Sequence, residues 1–288
     1  MKKSKYVKLK QRIFYTRGEM NMNKKLIAID LDGTTLNAQS QISPKTEAIL
    51  KKAVASGHIV SIATGRPFRI SEKFYHQLAL NTPMVNFNGA LVHVPYTQWA
   101  AESETLFSRD IVFEILKQKN DLQLDFVAAE NRDTFYVDRL DFGSEYLFDN
   151  QKPTNDNLLQ NLKSNPTSML IQTKTELAQT VSDTLKAQFS DYIDVRTWGG
   201  PNAILEIVAK GIQKARGVEI IADSMAIDRN DIIAFGDEHN DLEMLDYAGW
   251  GVAMKNASPE AKAISNDITS KTNDEDGLAD YLEKYLAI

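Results

Sequence analysis

Four short stretches of this 288-residue chain carry side chains suited to holding or attacking an anion. The first, "LIAIDLDGTTLN", is an apolar run that ends in Asp30 and Asp32, with Gly33 directly behind them. The second, "SIATGRP", finishes another apolar run with Thr64, Gly65 and Arg66. A hydroxyl and free backbone N–H groups at a strand end can hold phosphate oxygens. The third is Lys214, placed ahead of a helix-like pattern in "KGIQKARGVEII". The fourth, "IIAFGDEHNDLEM", ends in Asp237, Glu238, Asn240 and Asp241, four acids or amides within five residues. That density at the end of a buried strand is costly unless a cation compensates it. Each of the other stretches, taken alone, also has a plainer reading. Asp-Gly and a glycine at a strand end are frequent turn signals, and a lysine at a helix start is ordinarily a surface residue. His239 is a lone imidazole in a loop and is expected to face solvent.

Together the stretches have a chemical logic. Phosphate monoesters hydrolyse so slowly unaided that enzymes supply up to about 10²¹-fold acceleration. A carboxylate can act as the nucleophile, giving an aspartyl-phosphate that water then cleaves. Charge is the obstacle: two anions about 4 Å apart repel by roughly 4 kcal/mol at an effective dielectric of 20. Mg²⁺ prefers a few carboxylate oxygens, with waters and phosphate completing its shell. Asp30 and Asp237 suit that role, and a cationic Lys214 would neutralise more of the charge.

These residues need a scaffold that gathers them. Short apolar runs at "LIAID", "HIVSIAT", "PMVNFN", "DIIAFGD" and "GWGVAM" alternate with helix-like segments, the pattern of a doubly wound α/β sheet. In such a sheet ligands bind beyond the carboxyl ends of the strands, where Asp30 would sit. Ser43-Pro44 predicts a helix start and Gly57 its end, and Ser258-Pro259 predicts a second start. From about Leu106 to Val208 the pattern changes to period-two alternation between amphipathic helices. That predicts an inserted α+β module whose antiparallel sheet has one covered face. The expected division is therefore a catalytic core at 22–105 and 209–288, with the insertion at 106–208. In the insertion, Trp198, Gly199, Gly200, Pro201 and Asn202 form either a loop facing the site or an ordinary turn.

Composition narrows the class. The hydrophobic fraction is 43% and the charged fraction 25%, ordinary for a globular protein. The chain has no cysteine, so disulfides, thiolate metal sites and a cysteine nucleophile are excluded. No apolar run is long enough to span a bilayer, and the expected location is the cytoplasm. Seven of the 33 basic residues and one of the 39 acidic ones lie in residues 1–21, so the rest carries a net charge of −12. A body that acidic argues against nucleic acid as the partner. The basic leader "MKKSKYVKLKQRIFYTRGEM" is not followed by an uninterrupted apolar segment, so no signal peptide is expected. "NKKLIAID" reads as a natural beginning, and residues 1–21 are expected to be an extension absent from the native protein, which would start at Met22.

On the residues above, the sequence resembles the haloacid dehalogenase superfamily, and within it the Cof-like phosphatases with a type II cap. "DLDGTTLN", "SIATGR", "KGIQKARG" and "GDEHNDLEM" are similar to its four motifs, and "NFNGALV" to the segment ahead of the cap. The resemblance runs from about Lys24 to the end, with about a hundred residues between the second and third motifs. It implies a Rossmann-like core and a cap that closes over the crevice. It also implies that Asp30 is the nucleophile and a Mg²⁺ ligand, and that Asp32 is the general acid/base with its carbonyl on the metal. Thr64, Gly65 and Lys214 would hold the phosphoryl group, with Asn240 near it. Asp237 would be a further metal ligand, and Asp241 would support the metal site. Thr35 departs from the family pattern, which usually has leucine there. The function so implied is hydrolysis of a small phosphorylated metabolite, a sugar phosphate first among them. A sugar phosphomutase is the nearest alternative and a receiver-like signalling module a more distant one.

Overall fold

In the computed structural model, the run Leu26–Ile29 is β1, an inner strand of a five-stranded parallel sheet. It lies between β2 (Ile59–Ile62) and β11 (Ile232–Gly236), and β12 (Trp250–Ala253) and β13 (Asp267–Ile268) follow beyond β11. The register sets Ile29 beside both Ile62 and Phe235, so three strands end together at one edge. All four β1 side chains are fully buried, as an inner strand covered on both faces requires. The structure describes residues 24–132, 134–139, 157–197 and 203–288. The extension at 1–21 and the segment from Trp198 to Asn202 lie outside them.

Helices cover this sheet. α1 (Pro44–Ala55) starts where Ser43-Pro44 marks it, with the Ser43 hydroxyl accepting from Thr46 N, and Gly57 follows its end in a left-handed turn. Ile49, Leu50 and Ala53 form its buried stripe. α2 (Phe68–Gln77) follows β2. β3 (Met84–Asn86) touches the sheet through a parallel bridge from Ala63 to Val85, and pairs antiparallel with β4 (Leu91–His93), which pairs with β5 (Ser103–Glu104). The sequence pattern showed the β3 strand but not this small antiparallel flange.

The middle of the chain forms a second sheet. α3 (Arg109–Lys117) leads into β6 (Leu124–Glu130) and β7 (Phe135–Val137). Then come α4 (Leu158–Asn161), β8 (Ser168–Thr173), α5 (Ala178–Gln188), β9 (Ile193–Thr197) and β10 (Ile204–Ala209). The strands are antiparallel in the order β7-β6-β8-β10-β9. One covered face was expected, but both are buried. Val127, Ile171 and Leu205 pack with the helices, while Phe126, Ala128, Leu170 and Ile204 form a separate cluster on the opposite face. That second face is turned toward the core, because the Arg69 guanidinium of α2 sits 4.2 Å from the Phe135 ring.

The chain returns to the core through α6 (Lys214–Ser224), β11, α7 (Leu242–Tyr247), α8 (Pro259–Ile264) and α9 (Gly277–Leu286). Ser258 caps α8 by accepting from Ala261 N, as Ser-Pro predicts. Among the described residues, no helix is long and apolar enough to cross a membrane.

Candidate active site

The common edge of β1, β2 and β11 is where the motif residues collect. Asp30 follows β1 and donates its backbone N–H to Phe235 O at 3.1 Å, which ties it to the end of β11. Asp237 follows β11, and Asp241 lies one turn later, with Asp241 Oδ2 accepting from Asp237 N at 2.9 Å and Glu238 N at 3.1 Å. Carboxylate oxygens of Asp30, Asp237 and Asp241 all lie within 4.8 Å of one another, and all three side chains are buried. Gly33 makes this approach possible. Its φ of +69° turns the chain back, and a Cβ there would come within 2.1 Å of Asp237 Oδ2. Thr34 then donates its hydroxyl to Asp237 Oδ1 at 2.7 Å.

Lys214 is the first residue of α6 and is wholly buried. Its Nζ lies 2.6 Å from Asp30 Oδ1 and 2.7 Å from Asp241 Oδ1. The plain surface-lysine reading is therefore overturned. Burial alone would push its ammonium down, but the charges of Asp241 and Asp30 outweigh that and raise it. The acids are less well compensated. Burial pushes the Asp30 carboxyl well above the ordinary carboxylate range, with the Lys214 charge opposing and the neighbouring acids adding to the rise. Burial and the Asp241 charge likewise push Asp237 up to about 7. Three carboxylates face one ammonium, an excess of negative charge that a divalent cation would relieve. The donors are all oxygen, as Mg²⁺ prefers. Both Asp241 oxygens are already engaged by Lys214 and backbone N–H groups, which suits it to shaping the loop behind Asp30 and Asp237.

The remaining motif residues lie around this cluster. Thr64 is buried just past β2 and accepts from Arg66 N at 3.1 Å, and Gly65 stands beside it, half-buried. Asp32 does not join the buried acids: its side chain is 58% exposed and forms a fork with Arg66, at 2.7 Å from Nε and 2.5 Å from Nη2. Asn240 donates to Asn88 Oδ1 at 2.9 Å. His239 is exposed. No individual role attaches to Arg66, Asn88, Thr34 or Glu206 from the sequence pattern alone. The signal for Asn88 was present in its place before Gly89, a pairing that favours a left-handed turn.

The chain as a whole matches a known family. The family model for haloacid dehalogenase-like hydrolases matches residues 27–282. The chain belongs to that family. It is 40% identical over 268 residues to a 5-amino-6-(5-phospho-D-ribitylamino)uracil phosphatase of Bacillus subtilis, covering 91% of this chain and 98% of the relative. A pyridoxal phosphate phosphatase of Escherichia coli is 26% identical over 276 residues, covering 92% of this chain and all of the relative. Among solved structures, a haloacid dehalogenase-like hydrolase from Bacteroides thetaiotaomicron superposes with a TM-score of 0.80 at 25% identity, covering 91% of this chain and 99% of that one. The α/β core with an inserted cap is thus the fold of a hydrolase family, and this chain is an enzyme of its phosphatase kind.

Proposed function

We propose that this enzyme is a Mg²⁺-dependent phosphatase that hydrolyses a small phosphorylated metabolite, a sugar or sugar-alcohol phosphate, through an aspartyl-phosphate on Asp30. The observation that carries the reading is the buried Lys214–Asp30 contact of 2.6 Å inside a cluster of acids at the strand ends. The substrate class is supported by the phosphorylated ribityl chain in the name of the Bacillus subtilis relative. In this reading residues 22–105 and 209–288 are the catalytic core, and residues 106–208 are the cap that closes over the substrate.

Asp30, Asp237 and the Asp32 carbonyl would hold the Mg²⁺, with Asp241 supporting them. Bound there, the ion supplies positive charge that offsets the repulsion between phosphate and carboxylates. Lys214 favours the ionised form of Asp30 and, with Thr64 and the Gly65 backbone, holds the phosphoryl oxygens. An Asp30 oxygen attacks phosphorus as the bond to the leaving oxygen breaks, and the Asp32 carboxyl gives that oxygen its proton. The Asp32 carboxylate then takes a proton from water, which attacks the acyl phosphate, releases inorganic phosphate and restores Asp30.

The test is phosphate release from a panel of sugar phosphates, sugar-alcohol phosphates, nucleotides, flavin mononucleotide and pyridoxal phosphate, with Mg²⁺ and with a chelator. Activity on several esters is expected, all of it lost on chelation. Asp30→Asn should lower turnover at least about a thousandfold while the protein remains folded. A folded Asp30→Asn protein with full activity would falsify the nucleophile assignment.

A further inference from the structure

Asn88 stands where the site loops meet the insertion. Its backbone N–H donates to Thr64 O at 3.1 Å. The next residue, Gly89, has φ +109° and lies so close to Gln213, just before Lys214, that a Cβ would come within 2.3 Å of the Gln213 carbonyl oxygen. Asn88 itself is left-handed, with φ 55° and ψ 26°, a conformation asparagine tolerates better than most residues. Its carboxamide is buried and bridges two elements. Nδ2 donates to Glu206 Oε2 at 2.7 Å, and Oδ1 accepts from Asn240 Nδ2 at 2.9 Å. Glu206 is on β10, buried on the face of the insertion that is turned to the core.

This chain of hydrogen bonds has a direction. An ionised carboxylate only accepts, so Asn88 must offer Glu206 its NH₂ and is left with its oxygen facing Asn240. Asn240 must then turn its own NH₂ toward Asn88. A carboxylate is also an expensive group to bury for packing alone, and a leucine would fill such a position at less cost. We propose that Glu206 is a positioning residue for phosphoryl transfer. Acting through Asn88, it fixes which way the Asn240 carboxamide points, so that seating the insertion and shaping the loop after β11 become one event. The proposal rests on the phosphatase reading, in which Asn240 lies beside the phosphoryl group.

Glu206→Gln tests it, because it keeps volume and bonding capacity but can offer Asn88 either an oxygen or an N–H. In ¹⁵N-labelled protein, the side-chain NH₂ signals of Asn88 and Asn240 should shift or double in the variant. The KM for p-nitrophenyl phosphate, the KM for a sugar phosphate and the inhibition constant of inorganic phosphate should all rise by one common factor, about tenfold, with kcat changed less. Added to Asn240→Ala, Glu206→Gln should cause no further loss. An unmoved Asn240 signal overturns the proposal. So does a loss confined to the sugar phosphate, which would make Glu206 a direct contact of the leaving group, and so does a loss fully additive with Asn240→Ala. A wild-type protein inactive on both esters would sink the phosphatase reading instead, while the amide signals still decide whether the relay exists.

Discussion

Among the motif acids Asp30, Asp32, Asp237 and Asp241, only Asp32 is exposed. Its fork with Arg66 is therefore a matter of orientation more than of stability. A lysine keeps the charge but loses the two-pronged geometry. Arg66→Lys should change folding stability by less than about 1 kcal/mol, yet lower kcat roughly tenfold if orientation of the acid is what the fork provides. Steady-state kinetics beside a urea titration separate the two effects. His93 makes the opposite kind of prediction. It is wholly buried with Nε2 bonded to Asn86 Oδ1 at 2.9 Å, and burial, helped by the Arg132 charge, pushes its pKa down to about 4. Between about 4 and the ordinary value of about 6.5 the unfolded chain binds the extra proton, so this histidine lowers stability as pH falls through that window. The loss should approach about 3 kcal/mol near pH 4. His93→Gln should flatten that part of the curve relative to wild type in urea unfolding between pH 7 and pH 4.5. At this scale the sequence was legible where chemistry clusters by type, as at Asp30, Asp237 and Asp241. It was mute on Glu206, because one acid inside "AILEIVA" reads as the polar position of an alternating strand.

Between elements, the insertion is pinned to the core by a second buried polar contact. Arg69 of α2 reaches Glu130 at the end of β6, at 2.6 Å from Nε and 3.0 Å from Nη2. Burial raises the Glu130 carboxyl while Arg69 opposes the rise. Removing one member of such a pair strands the other charge. Arg69→Met should cost about 3 kcal/mol in equilibrium unfolding, and adding Glu130→Leu should recover much of it. A double variant as unstable as the single would show that the loss lies in packing. Helix starts were legible here because Ser-Pro caps act locally. The burial of the insertion's second face was not, since it depends on where α2 arrives from a distant part of the chain.

For the molecule as a whole, the acidic cluster is a local source of instability that a bound ion would reverse. An ion that binds only the native state at a hundred times its Kd adds about 2.7 kcal/mol. Mg²⁺ should therefore raise the Tm by several degrees in a melting experiment. Asp237→Asn should abolish that rise while leaving the metal-free protein as stable as wild type or more so, because it relieves mutual repulsion. An equal Mg²⁺ response in both proteins would place the ion elsewhere. The central pairing of β1 with β11 sets Leu26 against Ile232, and this has a consequence for a chain made from its N-terminus. The five described strands of the insertion are all complete before β11 exists, whereas β1 waits with one edge bare. Such an edge is a template for wrong partners, and long-range parallel pairing is slow to form. A product that stops short of β11 would be both inert and adhesive, and a growing chain would depend on its chaperones longest for the strand it made first.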